Sequence, residues 1–287
     1  MIKIRLSAQA DIPALRELWR LAFGDDGAYV DNFFTTYYRP ERMLVLEEGG
    51  ALVCMTAWFD TTLVLPALGE CRAAYLYAVA THPSCRGRGL AGQLLLGADE
   101  QFRAWGIQAV TTVPAEPSLH HFFGANGFAE CFTHSQKRWQ AAERGVAGQS
   151  GVAPALEPLQ PREYGRLREQ LLANVPHIAY PVDALTYQAG CCQISGGGLY
   201  GMATPAGPVV LCAEGLADGT LLLKELLGSA QAVRQGLACL DTALPPFGGH
   251  YRTPGDGTKF GMLKWLDAGQ GTRWDWSGTA YLGLAFD

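Results

Sequence analysis

Charge is scarce in this 287-residue sequence: Asp, Glu, Lys and Arg make up 17% of it, against 48% hydrophobic residues. A disordered chain is thereby excluded, because an apolar, weakly charged sequence offsets its ordering entropy by burial. No block of Lys or Arg runs longer than two residues, and the net charge is −5. The footprint of a nucleic-acid or anionic-membrane binder is missing, and a small cationic partner suits the balance better. There is no apolar stretch of about 18 residues and no apolar leader with a cleavage signature, so the sequence reads as that of a cytosolic protein. None of the eight cysteines forms a CxxC pair, and no His stands at ligand spacing, so no metal site is expected and the thiols are read as reduced core filling.

What is abundant is punctuation. With 35 Gly and 16 Pro, the elements should be short and many. Residues 3–6 read as a strand, and Asp11 as the cap of a helix with Leu15, Leu18 and Trp19 on one stripe. Glu47-Glu48-Gly49-Gly50 marks a hairpin turn between the strands 43–46 and 52–59, with a third strand over 62–65. The run 73–81 is apolar nearly throughout and reads as a central strand buried on both faces. Helix, strand, helix and strand follow over 90–105, 109–113, 117–125 and 128–139. Residues 140–158 lose periodicity and read as a linker. Beyond it the order of elements repeats: a helix over 162–173, strands over 199–204, 209–214 and 221–227, a helix over 229–242, and strands over 249–253 and 260–266. The length supports two domains: 1–139, and 159–287 as a worn copy.

The stretch that carries chemistry is Arg86-Gly87-Arg88-Gly89-Leu90-Ala91-Gly92, between the buried strand and a helix. Its glycines let backbone amides approach a ligand, and the helix start adds free donors and a favourable dipole, so an anion site, best a pyrophosphate, is expected. Gly87-x-Gly89-x-x-Gly92 also satisfies the dinucleotide fingerprint. That reading wants the first glycine directly off the strand and an acidic residue after the next strand, where this chain has His82 to Arg86 intervening and Thr111-Thr112-Val113. A phosphate loop of the Gly-Lys-Ser/Thr type is absent from this stretch.

The pattern V-x-x-x-P-x-x-R-G-x-G-x-A over Val79–Ala91, with Phe122-Phe123-Gly124-Ala125-Asn126-Gly127-Phe128 further on, resembles the GCN5-related N-acetyltransferases (GNAT). The resemblance covers about residues 1–139. Tandem-domain members related to the enhanced intracellular survival acetyltransferases look most similar. It implies an α/β fold with a central mixed, mostly antiparallel sheet flanked by helices, and a second, degenerate domain of the same kind. It implies acetyl-CoA as cosubstrate and a primary amine, small molecule or peptide, as acceptor. The backbone of Val79, Ala80 and Thr81 would pair with the pantetheine arm, and the Thr81 amide would face the thioester carbonyl. Amides of Arg86, Gly87, Arg88, Gly89, Leu90, Ala91 and Gly92 would cradle the diphosphate, with the Arg86 or Arg88 side chain adding charge. Phe123 would line the site.

Departures from the family pattern bear on mechanism. Relatives commonly carry a Tyr acid where this sequence has Phe123, and some a Glu base where it has Ala73-Ala74. The substitutes to consider are Tyr75, Tyr77, His120, His121 and the terminal carboxylate of Asp287. Cys85 could line the channel, and Trp265, Trp274 and Trp276 read as packing anchors. No glycine loop stands at the corresponding place in the second half, which is expected to wall the acceptor pocket through Glu214, Lys224 or Tyr251. A homo-oligomer is compatible with the sequence. The rival to an N-acetyltransferase is a non-catalytic acyl-CoA-binding or sensing protein; a nicotinamide-dependent oxidoreductase is the weaker third.

Overall fold

The computed structural model describes residues 1–139, 155–243, 248–271 and 279–286. Most of the expected linker, the Trp274 and Trp276 pair and Asp287 lie outside them. The chain starts with strand β1 (Ile2–Leu6) and helices α1 (Ile12–Phe23) and α2 (Gly27–Asn32). Asp11 stands at the start of α1, but its carboxylate does not cap that helix. It accepts from the Arg5 guanidinium (2.6 Å) and the Ala8 amide (2.7 Å), because Arg5 on β1 presents a stronger, charged donor pair.

Strands β2 (Met43–Glu48) and β3 (Ala51–Leu65) form the expected hairpin, turning at Gly49-Gly50. Residues 62–65 are no separate strand, since β3 runs through them and pairs with β4 (Gly69–Thr81) from Cys54 to Leu65. Then come α3 (Leu90–Ala104), β5 (Ala109–Thr112), α4 (Pro117–Ala125) and β6 (Ala129–Trp139).

The second half opens with β7 (Glu157–Pro158), so the last residues of the expected linker are already sheet, followed by α5 (Pro161–Leu172), β8 (His177–Ala179) and α6 (Val182–Ile194). It continues through β9 (Gly198–Thr204), β10 (Gly207–Gly215), β11 (Leu221–Leu227), α7 (Ala230–Ala243), β12 (Gly249–Pro254) and β13 (Thr258–Trp265).

All these strands belong to one sheet, ordered β1-β2-β3-β4-β5-β13-β6-β12-β11-β10-β9-β7, with β8 added on β3. Read inward from either edge, the two halves match. Each has one parallel pair, Ala73–Tyr75 of β4 with Ala109–Thr111 of β5, and Leu221–Leu223 of β11 with Gly249–Tyr251 of β12. Each then receives its last strand from the other half: β13 lies against β5, and β6 lies against β12. The fold is thus a mixed, mostly antiparallel sheet in two matching halves with exchanged terminal strands.

Three apolar clusters hold it. One lies under α3 and α4, one under α7, and the largest joins α1, α2, α5 and α6 with residues 280–286. That last segment threads between the halves. Arg168, fully buried and ion-paired with Glu225 (2.9 Å), donates to the Leu282 carbonyl, and the Tyr180 hydroxyl reaches those of Leu282 and Leu284. Gly283 has φ +80°, and a Cβ there would lie 1.9 Å from a Glu225 oxygen, so the crossing requires glycine.

His134 on β6 is 3% exposed, meets Phe260 edge-on at 4.5 Å and has no partner for Nδ1. Burial first, and the neighbouring Arg252 second, lower its pKa to about 4 from 6.5. Between those values the unfolded chain binds a proton that the folded chain refuses. The contribution to stability is therefore full above about pH 6.5 and declines as pH falls toward 4. Denaturant titrations at pH 7.5 and pH 5 are expected to show a smaller loss for His134→Gln than for the parent chain; equal losses would remove His134 from the acid response.

Candidate functional site

Strand β4 leaves its neighbour where the chemistry is expected. Its pairing with β5 ends at Tyr75–Thr111. On the other side, Met55 faces Ala80 and Ala57 faces Tyr77, so β4 carries one extra residue. This is a β-bulge, and Ala78 within it has φ +51°, unlike any other non-glycine among the described residues. Such a conformation costs about 1–3 kcal/mol and persists where surroundings over-determine it.

The ladder beyond the bulge settles which groups are free. The His82 amide donates to the Val53 carbonyl (2.8 Å), so by antiparallel alternation Ala80 turns its amide and carbonyl to Met55, while Thr81 turns them away from β3. The Thr81 carbonyl accepts Arg86 Nε (3.3 Å). Its amide faces the gap vacated by β5. Ala80, expected to offer its backbone, lines the cleft but is paired across the ladder.

The glycine loop continues that edge. Gly87 (φ +76°) and Gly89 (φ +74°) are left-handed, and Gly89 caps α3. A Cβ at either would meet nothing within 4 Å, so the loop fronts open space. The amides of Leu90, Ala91 and Gly92 have no acceptor within the helix. A cavity of about 590 Å³, in the range of cofactor sites, is walled by Val79–Thr81, the loop, the first turn of α3, Ala22 and Phe23 of α1, and Leu119, Phe122 and Phe123 of α4.

Arg88 is turned away. Its guanidinium forms a bidentate pair with Glu48 on β2 (2.8 and 2.6 Å), which holds that carboxyl below the usual carboxylate range. The pair ties the loop to the β2–β3 hairpin, so Arg86, which lines the cavity, is the loop cation nearer a ligand.

Tyr77 is half-buried and not among the cavity walls. Its hydroxyl lies 2.9 Å from that of Tyr29 and 2.8 Å from that of Tyr187. Tyr29 donates to the Phe286 carbonyl (2.5 Å), and each phenol has one proton. The order is therefore fixed: Tyr187 donates to Tyr77, Tyr77 to Tyr29, and Tyr29 to Phe286. Burial drives all three pKa values well above 10, and the Tyr77 proton is already engaged.

The other acid and base candidates fare similarly. Tyr75 is buried against Tyr180 and Phe286. His120 Nδ1 pairs with Glu130 (2.7 Å), and His121 is exposed. Lys224 and Glu214 pair with each other (3.0 Å) in the interior, Gln188 also bonds Glu214 (2.6 Å), and Tyr251 packs against the cluster under α7. The second half meets β4 through other residues: Tyr187 on α6 bonds Tyr77, while Tyr180 and Phe286 pack on Tyr75. No periodicity marks Tyr187, because its partner lies 110 residues away. Among the described residues no His, Cys, Asp and Glu group could hold a metal, and no helix is long and apolar enough to cross a membrane. The eight cysteines are free thiols.

Residues 3–128 match the family model of the acetyltransferase (GNAT) domain. No curated protein matches the chain significantly. Among solved structures, a GCN5-related N-acetyltransferase from Kribbella flavida aligns with a TM-score of 0.69 at 17% identity, over 93% of this chain and 72% of that one. One from Anabaena variabilis aligns with a TM-score of 0.70 at 14% identity, over 93% and 74%. Eis1 from Mycobacterium abscessus gives 0.66 at 13%, over 93% and 74%. At these identities the likeness shows the fold, and it spans both halves.

Proposed function

Since residues 3–128 form an acetyltransferase (GNAT) domain, we propose that the chain moves the acetyl group of acetyl-CoA to a primary amine by direct attack in a ternary complex. The observation that supports this most is the pairing of the outward-turned Thr81 amide with the acceptor-free amides of Leu90 to Gly92 behind the left-handed loop, along a cleft that β5 has vacated; the amides of His82 and of Ser84 to Arg86 between them are bonded within the protein. A would-be Cβ at Gly87 or Gly89 points into open space, so the residues present fit a diphosphate. When bound, acetyl-CoA supplies an activated thioester.

The protein's part is to hold and orient. The amides of Gly87 to Gly92 and the dipole of α3 bind the diphosphate, and Arg86 adds charge. The Thr81 amide is placed to donate to an acyl carbonyl. Leu119, Phe122 and Phe123 exclude water from that side. A neutral amine needs no covalent help against a thioester, so positioning carries the rate.

A second reading has its own support: Phe123 and Ala73 offer no proton-transfer group, and Tyr77 has its proton engaged. That reading is a non-catalytic acyl-CoA-binding protein. Calorimetric titration with acetyl-CoA, followed by thiol release across a panel of primary amines, decides between them. Saturable binding with amine-dependent thiol release is the expected result; saturable binding without release from any amine would favour the second reading.

A further inference from the structure

The strained bulge needs something to hold it, and the tyrosine chain reaches it from α2 of the same half and from α6 of the opposite half. Tyr77 immediately precedes Ala78 (φ +51°). Its carbonyl accepts the Thr56 hydroxyl (3.3 Å), and its own hydroxyl is fixed between Tyr29 on α2 and Tyr187 on α6. Tyr187 is fully buried, stacked on Phe59 and Phe286 at 5.9 Å each, and its proton points at Tyr77. We propose that Tyr187 is a positioning residue for acetyl transfer: acting through the Tyr77 hydroxyl, it pins β4 at the bulge and thereby sets where the Thr81 amide faces the cleft.

The proposal gives the second half a part in the reaction without a contact to either substrate. It rests on the acetyl-transfer reading. Removing the Tyr187 hydroxyl leaves its ring, and hence the stacking, in place. The diphosphate cradle lies beyond His82, whose amide is anchored to the Val53 carbonyl (2.8 Å), so the effect falls on turnover more than on donor affinity. Displacing a reacting geometry by a fraction of an ångström to one ångström lowers rates by about tenfold to a hundredfold.

The test compares Tyr187→Phe with Tyr37→Phe. The Tyr37 hydroxyl sits in the same aromatic cluster but ends on the Trp58 carbonyl (3.1 Å), outside the chain. Each variant loses one buried hydrogen bond and is expected to melt about 2–4 °C lower. Only Tyr187→Phe should lose about tenfold or more in kcat, with KM for acetyl-CoA within about twofold of the parent. Equal kcat in the two variants would overturn the proposal, as would a Tyr187→Phe defect confined to KM for acetyl-CoA. A parent chain that binds no acetyl-CoA, or binds it without turnover, would instead sink the acetyl-transfer reading itself.

Discussion

Gly89→Glu is expected to abolish acetyl-CoA binding while leaving the protein folded. Gly89 has φ +74°, and no atom lies within 4 Å of where its Cβ would be, so a side chain enters the diphosphate cradle and no packed atom. The backbone strain of a non-glycine residue there is about 1–2 kcal/mol, small against a stability of about 5–15 kcal/mol. The charge acts differently. Like charges about 4 Å apart repel by about 4 kcal/mol near a protein surface, roughly a thousandfold in affinity, and a diphosphate brings more than one. Gly89→Ala separates the two effects, since it carries the strain without the charge and should weaken binding far less. Calorimetric titration of both, with circular dichroism to confirm folding, checks this. Parental affinity in folded Gly89→Glu would remove the loop from the cofactor site.

A chain ending at Trp139 is expected not to fold by itself, although it holds all of residues 3–128, which match the acetyltransferase (GNAT) domain model. Without β13, β5 becomes an edge and β6 loses both of its sheet neighbours, β13 and β12. Met262 and Leu263 also leave the core, where they are 3% and 1% exposed, uncovering the faces they pack against. Each lost large apolar contact costs about 1.5–3 kcal/mol, and the opened pairs of β6 add to that. The sum is comparable with a domain's whole stability. Size-exclusion chromatography and thermal melts of the fragment test it; a monomer with a cooperative transition would show that the exchanged strand is dispensable.

What could be read from the residues was local. The turn at Gly49-Gly50, the helix from Leu90 and its stop near Gly106, α4 from Pro117 to Ala125 and the glycine loop before Leu90 all announce themselves through short-range chemistry of glycine, proline and helix ends. The repeat of elements in the second half was legible for the same reason. The exchange of β6 and β13 was not, because either strand alternates equally well beside its own half or the other. The bulge at Ala78 was hidden too: alanine carries no bias toward positive φ, and the conformation is imposed by Tyr77 and its distant partners. Arg88 looked like a phosphate ligand because its charge was visible and Glu48, 40 residues away, was not visibly its partner. Asp11 misled in the same way.

The exchanged strands also govern the order in which the molecule can be completed during synthesis. When Trp139 leaves the ribosome, neither flanking strand of β6 has been made, and β5 waits for β13, which ends at Trp265. At about 5–20 residues per second, the intervening stretch of roughly 126 residues takes about 6–25 s. Through that interval the nascent first half exposes three unpaired strand edges, one on β5 and two on β6, and the apolar faces that β13 later covers. Sheet edges of this kind invite pairing with other chains, so production of this protein places its longest demand on chaperones before the second half exists.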